Sequence, residues 1–235
     1  MAKTGLEYVK VGKLVNSTSG AAATYTDPLY MGPSAGLTGN ITANDVKDYG
    51  DDRTVETDTS VTGGTLSWEK NDLSDENMAY LLGHQATATY ALTSDDDIVT
   101  GKTYYTRSGS GTSESPYEYE AVASPTKTNI DSYYEVTALE VLANTDDIAP
   151  YLGVGVIGKS VVGGAKKYKA KFYYKVQFHE PNDENSTATD TTNFAHDTIE
   201  GNIFLLDNGD WKAQETFDTL AAAKTWVDTK LGVSA

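Results

Sequence analysis

The chain has 235 residues, with 34 acidic against 18 basic side chains, a formal net charge of −16, no cysteine, and 16 tyrosines against 5 phenylalanines. That length suits one large domain, or a domain carrying a smaller insertion, with a sizeable core. The charge argues against gripping a nucleic-acid backbone, which takes clustered Lys and Arg to displace counterions, and the lack of cysteine excludes disulfides, thiolate metal sites and thiol redox chemistry.

The tyrosine excess favours sheets with one wet face. No run approaches the roughly 18–20 apolar residues of a membrane span, and the opening MAKTGLEYVKVGKL lacks a signal-peptide core, so a cytoplasm is the expected folding compartment. Charge is uneven: residues 182–235 hold 10 acids and 3 bases, whereas 138–181 hold 4 acids and 6 bases, all six between Lys159 and Lys175. One segment therefore opposes the sign of the whole.

In chain order, residues 38–60, TGNITANDVKDYGDDRTVETDTS, are polar without sustained periodicity and read as a long loop. Loops of that length inside a compact domain are usually functional. VTGGTLSWEKNDL gives a Gly-Gly pair followed by a strand. LSDENMAYLLGHQ predicts a helix with Ser74 as N-cap, acids in its first turn, apolar Met78, Leu81 and Leu82, and Gly83 as its stop. Residues 91–137 hold six tyrosines and a Gly/Ser-rich tip, with short strands near KTYYTR, YEYEAVA and SYYEVT. They read as a small inserted β module, leaving 1–90 and 138–235 as the main domain.

YLGVGVIG has β-branched residues at two-residue spacing, and VVGGAK predicts a hairpin turn at Gly163-Gly164. From Lys167 to His179 two sets alternate. Tyr168, Ala170, Phe172, Tyr174, Val176 and Phe178 share one face, and Lys167, Lys169, Lys171, Tyr173, Lys175, Gln177 and His179 the other, as in a half-buried strand. Residues 180–198 read as a second long polar loop. TIEGNIFLLDNGDWKAQETF predicts two strands joined at Asp207–Asp210 through the hairpin signal Asn208-Gly209. DTLAAAKTWVDTKLG predicts a C-terminal helix capped by Asp218 and ended by Gly232, with Leu220, Ala223, Val227 and Leu231 on one face.

GVGVIGKS, Gly153–Ser160, satisfies the phosphate-loop spelling G-x-x-x-x-G-K-[ST]. That motif works only where the loop opens into a helix whose N-terminus faces phosphate, and here it sits in a strand that enters a hairpin. The match is accidental, and its glycines suit close backbone approach. Three histidines, His84, His179 and His196, have no partner suggested by spacing and read as structural or solvated. Acidic runs such as Asp95–Asp97, Asp51-Asp52 and Asp146-Asp147 lack calcium-loop spacing. No G-x-S-x-G elbow is present, so nothing argues for catalysis, a cofactor or a metal site.

The order of the pieces is more informative than any one motif. GLEYVKVGKL, then ITANDVKDYGDDRTVETDTSVTGGTLSWEKNDLSDENMAYLLGHQ, then DDIAPYLGVGVI, KKYKAKFYYKVQFHEP and TIEGNIFLLDNGDWKAQETF resemble the major tail tube proteins of long-tailed (siphovirus) phages. The resemblance covers nearly the whole chain except 91–137, and TGGTLSWEKNDLSDENMAYLLG is its most telling stretch. It implies a mainly β (α+β) fold: a β-sandwich or split barrel flanked by a short helix, with the inserted module outside and a C-terminal helix. It also implies hexameric rings stacked into a tube in the virion tail, through which DNA passes. Tape measure, tail terminator and baseplate proteins would be its partners, with no membrane involved. In that family a long loop near the start of the core reaches a neighbouring subunit, which would give Asp48, Tyr49, Asp51, Asp52 and Arg53 a contact role.

Rings of identical chains need one patch to meet a different patch on the next copy. Acidic tracts and one lysine-bearing strand offer complementary faces, and open strand edges could pair across subunits. A lumen for DNA is best acidic or neutral. Lys167, Lys169, Lys171 and Lys175 are therefore expected to point away from the lumen or to meet carboxylates of a neighbour. The alternative is a carbohydrate-binding or adhesin-type β-sandwich, motivated by the tyrosine-rich insertion, and a hydrolase ranks last.

Overall fold

The computed structural model describes the chain except residues 1, 18–21, 51–52, 95–96, 127–129, 131, 182–195 and 234–235, with the backbone alone at 2–4, 46–50, 53–59 and 162. Strand makes up 55% and helix 11%, in curled antiparallel sheets of the β-sandwich or half-barrel kind with a C-terminal helix. Contacts divide the chain into two units, Met1–His84 with Thr145–Ala235, and Gln85–Asn144.

The larger unit contains β1 (Ala2–Asn16), β2 (Thr24–Tyr30), β3 (Ser34–Gly50), β4 (Arg53–Lys70) and α1 (Asp75–Leu82). The smaller unit follows with β5 (Gln85–Leu92), β6 (Tyr105–Ser108), β7 (Glu118–Ala121) and β8 (Tyr134–Leu142). The larger unit resumes with β9 (Leu152–Val162), β10 (Ala165–Phe178), β11 (Asp197–Ile203), β12 (Lys212–Phe217) and α2 (Leu220–Lys230). Its sheet runs β2-β1-β9-β10-β11-β4-β3, with β12 also on β10. The smaller unit is a sheet of order β5-β8-β6-β7 over a core of Tyr104, Ile130 and Tyr133. It extends beyond 91–137 because β5 pairs with β8 from Gln85↔Leu142 to Leu92↔Tyr134.

Both faces of the large sheet are covered. On one, Val9, Val11, Leu66, Trp68, Leu152, Val154, Tyr173, Val176 and Phe178 join Leu81 and Leu82 of α1 in the main core. On the other, Tyr25, Ile157, Ala170 and Phe172 pack against Ala223 and Val227 of α2 and Leu231 just after it. The strand β10 is thus buried on two sides, not half-buried as its alternation predicts. The reason is a bulge: Tyr173 faces Val154 and Val176 faces Leu152, three residues against two, so side-chain parity inverts. Val176 and Phe178 thereby join the face of Tyr173, opposite Phe172.

Gly153 and Gly155 of GVGVIG occupy the α2 side of β9. A Cβ on Gly153 would come within 2.5 Å of the Tyr25 ring and 2.8 Å of Phe172, and one on Gly155 within 2.3 Å of Val227 Cγ1. Their role is close approach of rings and helix to the strand. The Gly163-Gly164 turn forms as expected, both residues with positive φ (59° and 80°), closing β9 onto β10 at Val162↔Ala165.

Three further expectations are corrected. Residues 38–50 and 53–60 belong to the paired strands β3 and β4, not to a loop. β11 and β12 do not form a hairpin: β11 pairs with β10 at Val176–Phe178 and β12 pairs with it at Tyr168–Tyr173, so Asn208-Gly209 turns a short excursion between them. The cap of α2 is Thr219, whose side chain accepts from the Ala222 N–H, while Asp218 instead pairs with Lys167. The expected ends of α1 hold, with Ser74 at the N-cap position and Gly83 left-handed at the C-cap. Of the 180–198 segment, residues 182–195 lie outside the described ones.

Gly155→Ala should destabilise the protein by about 1–3 kcal/mol through overpacking, and Val227→Ala in the same chain should restore part of that loss. Urea denaturation of the two single variants and the double variant checks this. Additive costs would separate the two sites.

Candidate assembly surface

The β3–β4 hairpin leaves the sheet partway along its length. β11 supports β4 only from Gly64 to Lys70, whereas β3 and β4 continue pairing from Ala43↔Val61 to Gly50↔Arg53. Eight residues at roughly 3.3 Å each give an arm of about 26 Å. Thr42, Ala43, Asn44, Asp45 and Ser60 are exposed. A two-stranded ribbon without a third strand is marginally stable in water, and its outer N–H and C=O groups are available to another strand. Asp48, Tyr49 and Arg53 lie at the arm's end, where Tyr49 pairs with Thr54 and Gly50 with Arg53. Asp51 and Asp52 lie outside the described residues.

The four lysines expected on one face are divided among three environments. Lys167 pairs with Asp218, next to the cap of α2. Lys175 sits at the bulge with its ammonium 4.5 Å from the centroid of Tyr151. Lys169 and Lys171 remain together, beside Lys159, on a cleft of about 300 Å³ where the curl brings β3 across from β1, β9 and β10. Leu6, Leu37 and Val156 supply its apolar lining, and Lys159 reaches Glu7 at 3.5 Å. The cleft gathers positive charge on an acidic chain, so a carboxylate carried on an apolar or extended backbone suits it.

A second cluster escaped the sequence reading. His84 has a side chain 7% exposed, held at Nδ1 by Asp147 (2.8 Å) and at Nε2 by Glu180 (2.9 Å). Ionised carboxylates only accept hydrogen bonds, so both ring nitrogens must carry protons. Burial pushes the imidazole down, but the hydrogen bonds and charges of Asp147 and Glu180 outweigh it and hold the ring above its ordinary 6.5. The cluster clamps the end of α1 to the segments that lead into β9 and out of β10. Nearby, Tyr80 donates to the Asp27 carbonyl at 2.6 Å and is pushed up to about 12 by burial and by Asp27. Lys70, 3% exposed, donates to the Asp72 carbonyl at 2.8 Å, and burial pushes its amine down.

Among the described residues, no group of three or more His, Cys, Asp or Glu side chains is arranged to hold a metal ion, and no helix is long and apolar enough to cross a membrane. No family model matches the chain, and no curated protein matches it either.

Because His84 titrates higher folded than unfolded, its clamp contributes fully below the unfolded pKa and is lost as pH rises through the folded one. His84→Gln should therefore lower Tm more at pH 6 than at pH 9, measured by thermal denaturation. Equal losses at both pH values would remove the charge from the account.

Proposed function

We propose that this chain is a structural subunit that assembles with copies of itself into stacked rings forming a tube of the phage-tail kind, with DNA passing along the axis. The observation that carries the reading is the β3–β4 arm, a ribbon of two strands that leaves its own sheet and needs a surface to settle on. The sheet also ends at β2 and β3, so a neighbouring copy has edges to pair with. The Lys159, Lys169 and Lys171 cleft is a second contact: it would take carboxylates from an adjacent copy, as expected for a chain of net charge −16. Two different patches meeting in this way give head-to-tail contacts, which close into rings or stack. Tape measure, terminator and baseplate proteins would then meet the tube at its inside and its ends.

The test is electron microscopy of the purified chain across a concentration series, beside a variant in which residues 43–61 are replaced by a tight turn joining Thr42 to Thr62. The intact chain should form rings or tubes. The shortened chain should keep its Tm within a few degrees and stay monomeric. A shortened chain that assembles as well as the intact one contradicts the role of the arm, and an intact chain monomeric at every concentration contradicts the tube.

A further inference from the structure

On the smaller unit, the register places Tyr90 with Val136 and Leu92 with Tyr134 on one face, and the pairs Tyr105↔Tyr134 and Arg107↔Tyr119 continue it. Its rings touch in series. Tyr90 and Tyr119 stack at 3.9 Å between centroids with 7° between planes, and Tyr119 meets Tyr134 edge-on at 5.4 Å. Arg107 ends the series, its guanidinium 4.3 Å from the Tyr117 centroid and 4.6 Å from that of Tyr134. The turn ahead of β7 backs this arrangement: a Cβ on Gly111, which has φ of +74°, would lie 2.6 Å from the Tyr117 ring. Arg107 thus lies against two rings, Tyr117 and Tyr134.

Arg107 is exposed, and its contacts among the described residues are with these two rings, not with a carboxylate. It is one of only two arginines in the chain, the remaining bases being lysines. A lysine would supply the same charge. What arginine adds is a planar fork that lies along aromatic rings while its N–H edge stays free for a two-pronged bond to an oxyanion. Among the described residues, its neighbours on this face are tyrosines, with Leu92 and Val136, both exposed, further along.

We propose that this face binds an acidic carbohydrate, with Arg107 holding one sugar carboxylate and the tyrosine edges receiving the neutral, hydroxyl-bearing remainder. Charge spacing favours a saccharide over an acidic peptide. Residues 85–144 hold nine acids and three bases, so a run of clustered carboxylates is repelled, whereas a chain with one carboxylate among several hydroxyls per ring matches one cation set among tyrosines. The proposal goes beyond tube assembly and does not depend on it.

The test is isothermal titration of the full-length chain with oligogalacturonate, oligomannuronate and sialyllactose, with neutral maltoheptaose and poly-L-glutamate beside them. At least one acidic saccharide should bind, more weakly in 500 mM than in 50 mM salt, and maltoheptaose should not. Arg107→Lys should weaken binding at least tenfold, and Arg107→Gln should abolish it with near-UV circular dichroism unchanged. Binding to none of the three acidic saccharides overturns the proposal. So does equal binding of maltoheptaose or poly-L-glutamate, or full affinity in Arg107→Gln. Should both variants lose their near-UV signal, the salt dependence of the wild-type chain decides, and a flat dependence overturns it.

Discussion

β10 has to serve two cores at once, and the larger unit is arranged around that constraint. Its first half sends Ala170 and Phe172 outward to α2, and its second half sends Val176 and Phe178 inward to the main core. The bulge between Tyr173 and Val176 makes the exchange possible. The neighbouring strand β9 must then present small residues to α2, and Gly153 and Gly155 do so. Polar ties fasten the helix at several points: Lys10 to Asp228 at 2.7 Å, Lys167 to Asp218, and Lys230 to the Tyr174 hydroxyl at 3.4 Å. The exposed Lys167–Asp218 pair contributes only about 0–1 kcal/mol, and the part-buried Lys10–Asp228 pair fixes the helix's position on β1. The apolar contact of Val227, Ala223 and Leu231 supplies most of the attachment.

This arrangement spends the apolar residues on the centre of the sheet and leaves little for its periphery. Among the described residues, no third strand pairs with Ala43–Gly50 or Arg53–Val61. A monomeric protein would ordinarily shorten or cover such a ribbon, and its retention is what makes self-association the natural reading. The lysine cleft belongs to the same logic. Curling β3 towards β1 leaves Lys169 and Lys171, with Lys159 of β9, at a mouth, not on an open plane, where their charge is concentrated.

The parts of the fold visible in the sequence were those with a buried face or a fixed turn chemistry. The Gly163-Gly164 hairpin, the ends of α1 and the apolar stripe of α2 all announce themselves in short windows. The arm did not, because the sequence of residues 43–61 is polar and carries no sustained apolar period. The bulge in β10 was equally hidden, since Lys-Phe-Tyr-Tyr-Lys-Val alternates well enough to read as one regular strand. His84 finds Asp147 and Glu180 at separations of 63 and 96 residues, a meeting that only the folded chain creates. Arg107 beside KTYYTR offered a local hint, yet its second ring, Tyr134, arrives through β6–β8 pairing.

Hydrogen–deuterium exchange of the backbone amides, followed in dilute monomer and in concentrated, sedimented protein, tests the central claim most directly. The account predicts rapid exchange along 43–61 in the monomer and strong protection of the same amides in the sedimented form, with β9 and β10 slow in both. Arm amides that exchange alike in the two samples, or a chain that never leaves the monomeric state, would contradict it.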